Sequence, residues 1–254
     1  MQLVLFDGVA GEPMGTSPIM PSRTTEFDVE SRLQLTFAVP TSSIDPLLPP
    51  GWMSSESTAG PARGATMTLT FRVRLLTLMI GDDLQETPGE RDIGALITAG
   101  MRNRSTGEHA TCVLHSFSAN AKSLPGPYKN SVLAEVAHQQ AYLPGFEGKC
   151  KEDWQISMVG DAVLGVDFVY ASTGIQTAHS EVKVFGGPNS SFFRRYHVEK
   201  GVELILSRPD GIDRSSLLAI RNKLPGVAGL MQRDKCVGVA AEPWYRRFVS
   251  LDDV

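Results

Sequence analysis

The chain is short of cysteine, of positive charge and of long apolar runs, and each shortage removes a class of protein. Three cysteines (Cys112, Cys150, Cys236) in 254 residues cannot build a disulfide framework, and their odd number and wide spacing match no zinc-ligand pattern. A reducing compartment is the expectation. A formal charge of −4 leaves no basic surplus for phosphate backbones, so no nucleic-acid partner is expected. No window holds the roughly eighteen apolar residues of a membrane helix, and no membrane partner is expected. The N-terminal LVLF run is too short for a targeting segment and lacks a basic flank, so the sequence reads as soluble and cytoplasmic. Familiar catalytic strings are missing too: there is no Gly-x-Gly-x-x-Gly after a strand, no P-loop, no Gly-x-Ser-x-Gly and no His-Glu-x-x-His. The five histidines are scattered singly, so neither a metal site nor a cofactor is expected.

What the sequence does have is pleated periodicity. Hydrophobic residues make up 42% and charged ones 20%, enough for one large core. In LQLTFAV, Leu33, Leu35, Phe37 and Val39 alternate with polar residues. MTLTFRVRLL sets Met67, Leu69, Phe71, Val73 and Leu75 on one face and Thr68, Thr70, Arg72 and Arg74 on the other. ALITAG, TCVLHSFS, SVLAEVAH, WQISMV, AVLGVDFVYAS, IQTAHSEVKVF, FFRRYHV and VELIL are further strands, divided by short Gly, Pro, Asn and Asp clusters. PTSSIDPLLPPGW predicts one turn of helix stopped by Pro49 and Pro50. DRSSLLAIRNKLPG predicts a longer helix, capped by Asp213 or Ser215, striped by Leu217, Leu218, Ile220 and Leu224, and ended by Pro225-Gly226. The expected fold is mostly β: a closed antiparallel β-barrel or sandwich with one or two short helices. Residues 1–31, rich in Pro, Gly, Ser, Thr and acids, predict an N-terminal arm, and 32–254 a single barrel domain.

The order ESRLQLTF, SIDPLLPPGW, MTLTF and then GPYKN resembles the acetoacetate decarboxylase-like family over roughly residues 30 to 207. The resemblance implies a closed antiparallel barrel with an internal pocket. It also implies a lysine that condenses with a β-keto acid, made nucleophilic by a cationic neighbour and an apolar setting that disfavour the ammonium form. By the family's spacing that lysine is Lys149, sixteen positions before Gly165, with Lys151 as the neighbouring charge. The Gly-Pro-Tyr motif ends here in Asn130 where the family carries a glutamate, and a neutral amide orients a carbonyl but moves no proton.

The residues themselves leave several roles open. The rigid LPGPYKN corner is either an ordinary turn into a strand or a pocket wall, on which Tyr128 would donate to a developing enolate. His115 or His138 would serve as general base. Arg72 and Arg74 are read as facing water, with bidentate capture of a carboxylate as the sharper alternative, open also to Arg195. The expected partner is a small carbonyl compound. The primary reading is a lyase acting on it by decarboxylation, dehydration or C–C cleavage. A non-covalent isomerase or cyclase of a specialised pathway and a non-catalytic apolar-ligand barrel are the alternatives. The terminal VGVAAEPWYRRFV leaves a homo-oligomer open.

Overall fold

The computed structural model describes residues 24–79, 85–86, 92–120, 131–143, 148–158, 161–186 and 193–250. Tyr128 and Asn130 lie outside these described residues, and so does most of the expected arm. The first strand takes in the arm's last residues. In chain order the strands are β1 (Thr24–Phe37), β2 (Trp52–Ser54), β3 (Met67–Met79), β4 (Gln85–Glu86), β5 (Asp92–Asn103), β6 (His109–Ser118), β7 (Ser131–Leu133) and β8 (Glu135–Tyr142). They continue as β9 (Lys149–Met158), β10 (Asp161–Ala171), β11 (Gln176–Phe185), β12 (Phe193–Ser207), β13 (Ile212–Asp213), β14 (Ser215–Asn222) and β15 (Cys236–Ser250). The expected helical turn is present as α1 (Thr41–Ile44), continued by a short 3-10 turn at Asp45–Leu47. Among the described residues no helix is long and apolar enough to cross a membrane.

Seven strands close into a barrel in the order β5-β3-β1-β15-β12-β11-β6, and β6 returns to β5. The ladder is antiparallel except where β11 meets β6, a short parallel seam at Val184–Thr111 and Phe185–Cys112. The remaining sheet, β14-β10-β9-β8, lies outside the barrel. The apolar rows of β1 and β3 (Leu33, Leu35, Phe37, Leu69 and Phe71) are fully buried and share one core with Trp154, Ile156, Val166 and Phe168 of the outer sheet. Phe71 stacks on Trp154 with ring centroids 5.0 Å apart. Main-chain pairing closes the barrel, while apolar contact between sheets holds its outer wall.

This arrangement corrects the expectation that Arg72 and Arg74 face water. A strand's alternation defines two faces, and here the apolar face is turned outward onto a second sheet. The polar face therefore points into the lumen.

The longer helix is also corrected. Ser215–Asn222 is the edge strand β14, paired antiparallel with β10 from Leu164↔Asn222 to Tyr170↔Ser215. Asp213 accepts from the amide and hydroxyl of Ser215, an Asx turn that starts the strand instead of capping a helix. Leu218 is buried while Leu217 is 44% exposed, which is period two. The open edge of β10 needs hydrogen-bond partners, and that tertiary demand outweighs local helix propensity.

One glycine is required by the closure itself. At Gly94, opposite Arg72 in the β3–β5 ladder, an added Cβ would collide with the carbonyl oxygen of Phe117 and lie 3.5 Å from Arg72 Nε. Gly174, by contrast, has open space around it. Gly94→Ala is expected to cost about 1–3 kcal/mol, as overpacking does, and Gly174→Ala to stay within about 0.5 kcal/mol of wild type in denaturant unfolding.

Candidate functional site

The lumen begins with the pattern EFDVESRLQ. Glu26, Asp28, Glu30, Arg32 and Gln34 recur at every second residue of β1 and so share its inner face. Register shifts on either side of Glu30 mark a bulge that bends this strand where charge is densest. Glu30 is completely buried. Arg32 Nε reaches it at 2.7 Å, Arg72 Nη1 at 3.3 Å, Arg74 Nε at 3.4 Å and Arg247 Nη2 at 3.8 Å. Asp28 takes two contacts from Arg247, at 2.6 and 2.7 Å, and a hydrogen bond from the Thr77 hydroxyl at 2.5 Å. Asp92 accepts from Ser118 at 2.6 Å and lies 3.0 Å from Arg72 Nη2. Two tyrosine rings back the cations: Arg32 sits 3.2 Å over Tyr245 and Arg247 4.7 Å over Tyr196.

These charges set one another's ionisation. Burial alone would raise Asp28, but the Arg247 charge leads the opposing influences and holds it at about 2. Glu30 is likewise kept well below the usual range, its burial overridden by Arg32, Arg247, Arg72 and Arg74. Glu26 moves the other way, pushed up by burial and by its hydrogen bond to Asp28. Arg72 is lowered, because burial and the adjacent Arg74 outweigh the attraction of Glu30 and Asp92. Its Nε and Nη2 atoms are buried without a hydrogen-bond partner, and so is Asp92 Oδ2. The 3.0 Å approach of Arg72 to Asp92 is thus an ion pair without hydrogen-bond alignment.

Above this charged floor lies a cavity of about 200 Å³. Its two walls differ. Gln34, Thr36, Thr68, Thr70 and Thr98 make one polar; Leu96, Val113, Val182 and Val184 make the other apolar. Exposed Glu56 and Thr58, from the loop after β2, stand at its rim with His109 and Glu181. A concave space with convergent polar groups and a greasy opposite wall suits a small organic acid. Among the described residues no group of three or more His, Cys, Asp or Glu could hold a metal ion.

Of the sequence-derived candidates among the described residues, the structure brings Arg72 and Arg74 together here, leaves Arg195 at the rim and places Lys149, His115 and His138 elsewhere. Lys149 is the first residue of β9, paired with Ala171 in the outer sheet, and does not line the cavity. His115 stacks on Phe117 at 6.2 Å on β6; burial lowers its pKa, and it too is absent from the lining. His138, on β8, lies 3.7 Å from the Trp154 ring and 3.8 Å from Glu152, whose carboxylate also accepts from Trp154, Tyr170 and Gln140. That cluster fastens the outer sheet. Arg195 pairs with Glu181 at the rim. Asp28, Glu30, Arg32, Asp92, Tyr196, Tyr245 and Arg247 escaped sequence reasoning. The available signal was the charged every-second-residue row continuing LQLTF backward into the supposed arm.

Fold and site thus define a closed β-barrel with a charged lumen. No family model matches the chain, and no curated protein does. Solved structures do. The enduracididine biosynthesis enzyme MppR with HEPES buffer bound aligns at a TM-score of 0.60 and 11% identity, over 99% of this chain and 97% of that one. MppR complexed with pyruvate gives 0.59 and 13%, over 95% and 98%. An acetoacetate decarboxylase-like enzyme from Sphingomonas wittichii RW1 gives 0.59 and 9%, over 96% and 100%. The chain has the acetoacetate decarboxylase-like fold, as GPYKN and its neighbouring segments implied.

The ion network makes a pH prediction. A carboxyl whose folded pKa is depressed stabilises the fold above its unfolded value, near 3.9 for Asp, and loses that contribution as pH falls through the folded one. Stability is therefore expected to drop steeply between pH of about 4 and about 2. Asp28→Asn should cost about 3–5 kcal/mol at pH 7 by leaving Arg247 under-paired, and should flatten the acid limb in pH-dependent denaturant unfolding.

Proposed function

We propose that the chain is an enzyme that binds a short carbonyl-bearing carboxylic acid in the barrel lumen and acts on it through an enolate, as a lyase or isomerase. One observation carries this reading: buried Arg72 lies beside an open cavity, its Nε without a hydrogen-bond partner and its Nη2 ion-paired to Asp92 without hydrogen-bond alignment. A guanidinium that burial and Arg74 disfavour gains most from an arriving anion, and its fork matches a carboxylate. The hydroxyls of Tyr196 and Tyr245, two rings that line the same cavity, are the donors for oxygen charge developing at the carbonyl. Glu26 and Asp28 do not line the cavity; they hold Arg247 in place from behind it. MppR, whose fold is similar, is known complexed with pyruvate and with the condensation product of pyruvate and imidazole 4-carboxaldehyde. That favours a 2-oxo acid over a purely apolar ligand.

The reading departs from amine catalysis at Lys149. The lysine lining the cavity among the described residues is Lys183, near the rim and 2.7 Å from Glu108. Oxo acids are expected to bind wild type in isothermal titration calorimetry. Arg72→Lys, which keeps the charge and loses the fork, should weaken them about 10- to 100-fold. Borohydride reduction with pyruvate, followed by peptide mass spectrometry, should leave Lys149 unmodified. A reduced adduct there would overturn the non-covalent mechanism, and unchanged affinity in Arg72→Lys the carboxylate assignment.

A further inference from the structure

Beside the arginine floor a second ion pair stands behind the cavity lining, with Glu242 opposite Arg32 in the β1–β15 ladder. Lys200 and Glu242 are 1% and 0% exposed, and Lys200 Nζ lies 2.8 Å from Glu242 Oε1. The other oxygen, Oε2, accepts a hydrogen bond from Gln34 Nε2 at 3.3 Å. A carboxylate held against a lysine accepts and does not donate, so this contact fixes which way the amide lies. Its NH₂ faces Glu242, and its carbonyl oxygen faces the opposite way. Gln34 lines the cavity, is 6% exposed, and its Oε1 has no hydrogen-bond partner. A buried acceptor without a donor calls for a missing partner.

The sheet register places this acceptor relative to the floor. Arg32 stands opposite Arg72 and Gln34 opposite Thr70, so Gln34 is the diagonal neighbour of Arg72. Diagonal cross-strand neighbours are about 7–8 Å apart. A short acid whose carboxylate rests on Arg72 would bring a substituent three or so carbons along its chain toward Gln34.

We infer that Gln34, oriented by Glu242 and Lys200, is a specificity-determining residue that accepts a hydrogen bond from the substrate, which is therefore a short oxo acid bearing a hydroxyl or amino group beyond its carbonyl. This rests on the lumen being the acid site. Glu242 and Lys200 act through Gln34 and are positioning residues.

The test compares 2-oxobutanoate with 4-hydroxy-2-oxobutanoate by titration calorimetry on the full chain. Wild type should bind the hydroxylated acid about tenfold more tightly. Gln34→Met, similar in length without the amide, should bring the ratio to within about twofold, with a thermal melt confirming that the variant is folded. Equal affinities in wild type would overturn the inference and leave the acid site standing. Binding of neither acid would overturn both, and a preference that survives Gln34→Met would remove it from Gln34. The wild-type comparison needs no variant, so it decides the matter even if Gln34→Met fails to fold.

Discussion

A carboxylate with no exposure to water, Glu30, sits within 4 Å of four guanidinium groups inside a closed barrel, and the rest of the molecule is arranged around that fact. An isolated buried charge is prohibitive, so each member of the network is tolerable only while its partners stay in place. Glu30 belongs to β1, Arg72 and Arg74 to β3, Arg247 to β15 and Asp92 to β5, so the ion pairs tie four consecutive staves together across the lumen. The bulge at Glu30 and the missing side chain at Gly94 give the network its room.

Such a network is a poor device for stability alone. Well-packed apolar residues of the same volume would serve as well or better, because the Coulombic gain barely offsets desolvation. The barrel shows that it can pack that way: its outer face and the four-stranded sheet form a dry core led by Leu33, Phe71, Trp154 and Phe168. The buried arginines gather at the lumen, across from a wall of valines, and the outer sheet's main buried carboxylate is Glu152. That separation is what argues for a site: a rigid apolar jacket holds a preorganised set of charges whose positions cost nothing further to arrange when an acid arrives.

The fold was legible because pleating leaves a period of two, and Leu33, Leu35 and Phe37 or Met67, Leu69 and Phe71 display it plainly. Which face met water was not legible. In a barrel jacketed by a second sheet the usual assignment reverses, and Arg72 and Arg74 moved from solvent to lumen for that reason alone. Asp28 and Glu30 were hidden in a segment whose low hydrophobicity resembles an arm, since their burial depends on arginines some forty and some two hundred residues away. Arg247 and Tyr245 fell within a terminal stretch noted only as leaving a homo-oligomer open. LLAI in β14 satisfies both periods, and only the open edge of β10 decides between them. Long-range pairing escapes local pattern in each case.

The account's central claim is that Arg72 receives a substrate carboxylate within the barrel, and a crystal structure of the chain soaked with pyruvate tests it most directly. The account predicts the carboxylate inside the lumen, within hydrogen-bonding distance of Arg72 Nε or Nη2, with the carbonyl oxygen turned toward the Tyr196 or Tyr245 hydroxyl. Pyruvate seated in the outer sheet against Lys149 and Cys150, with the lumen unoccupied, would contradict it.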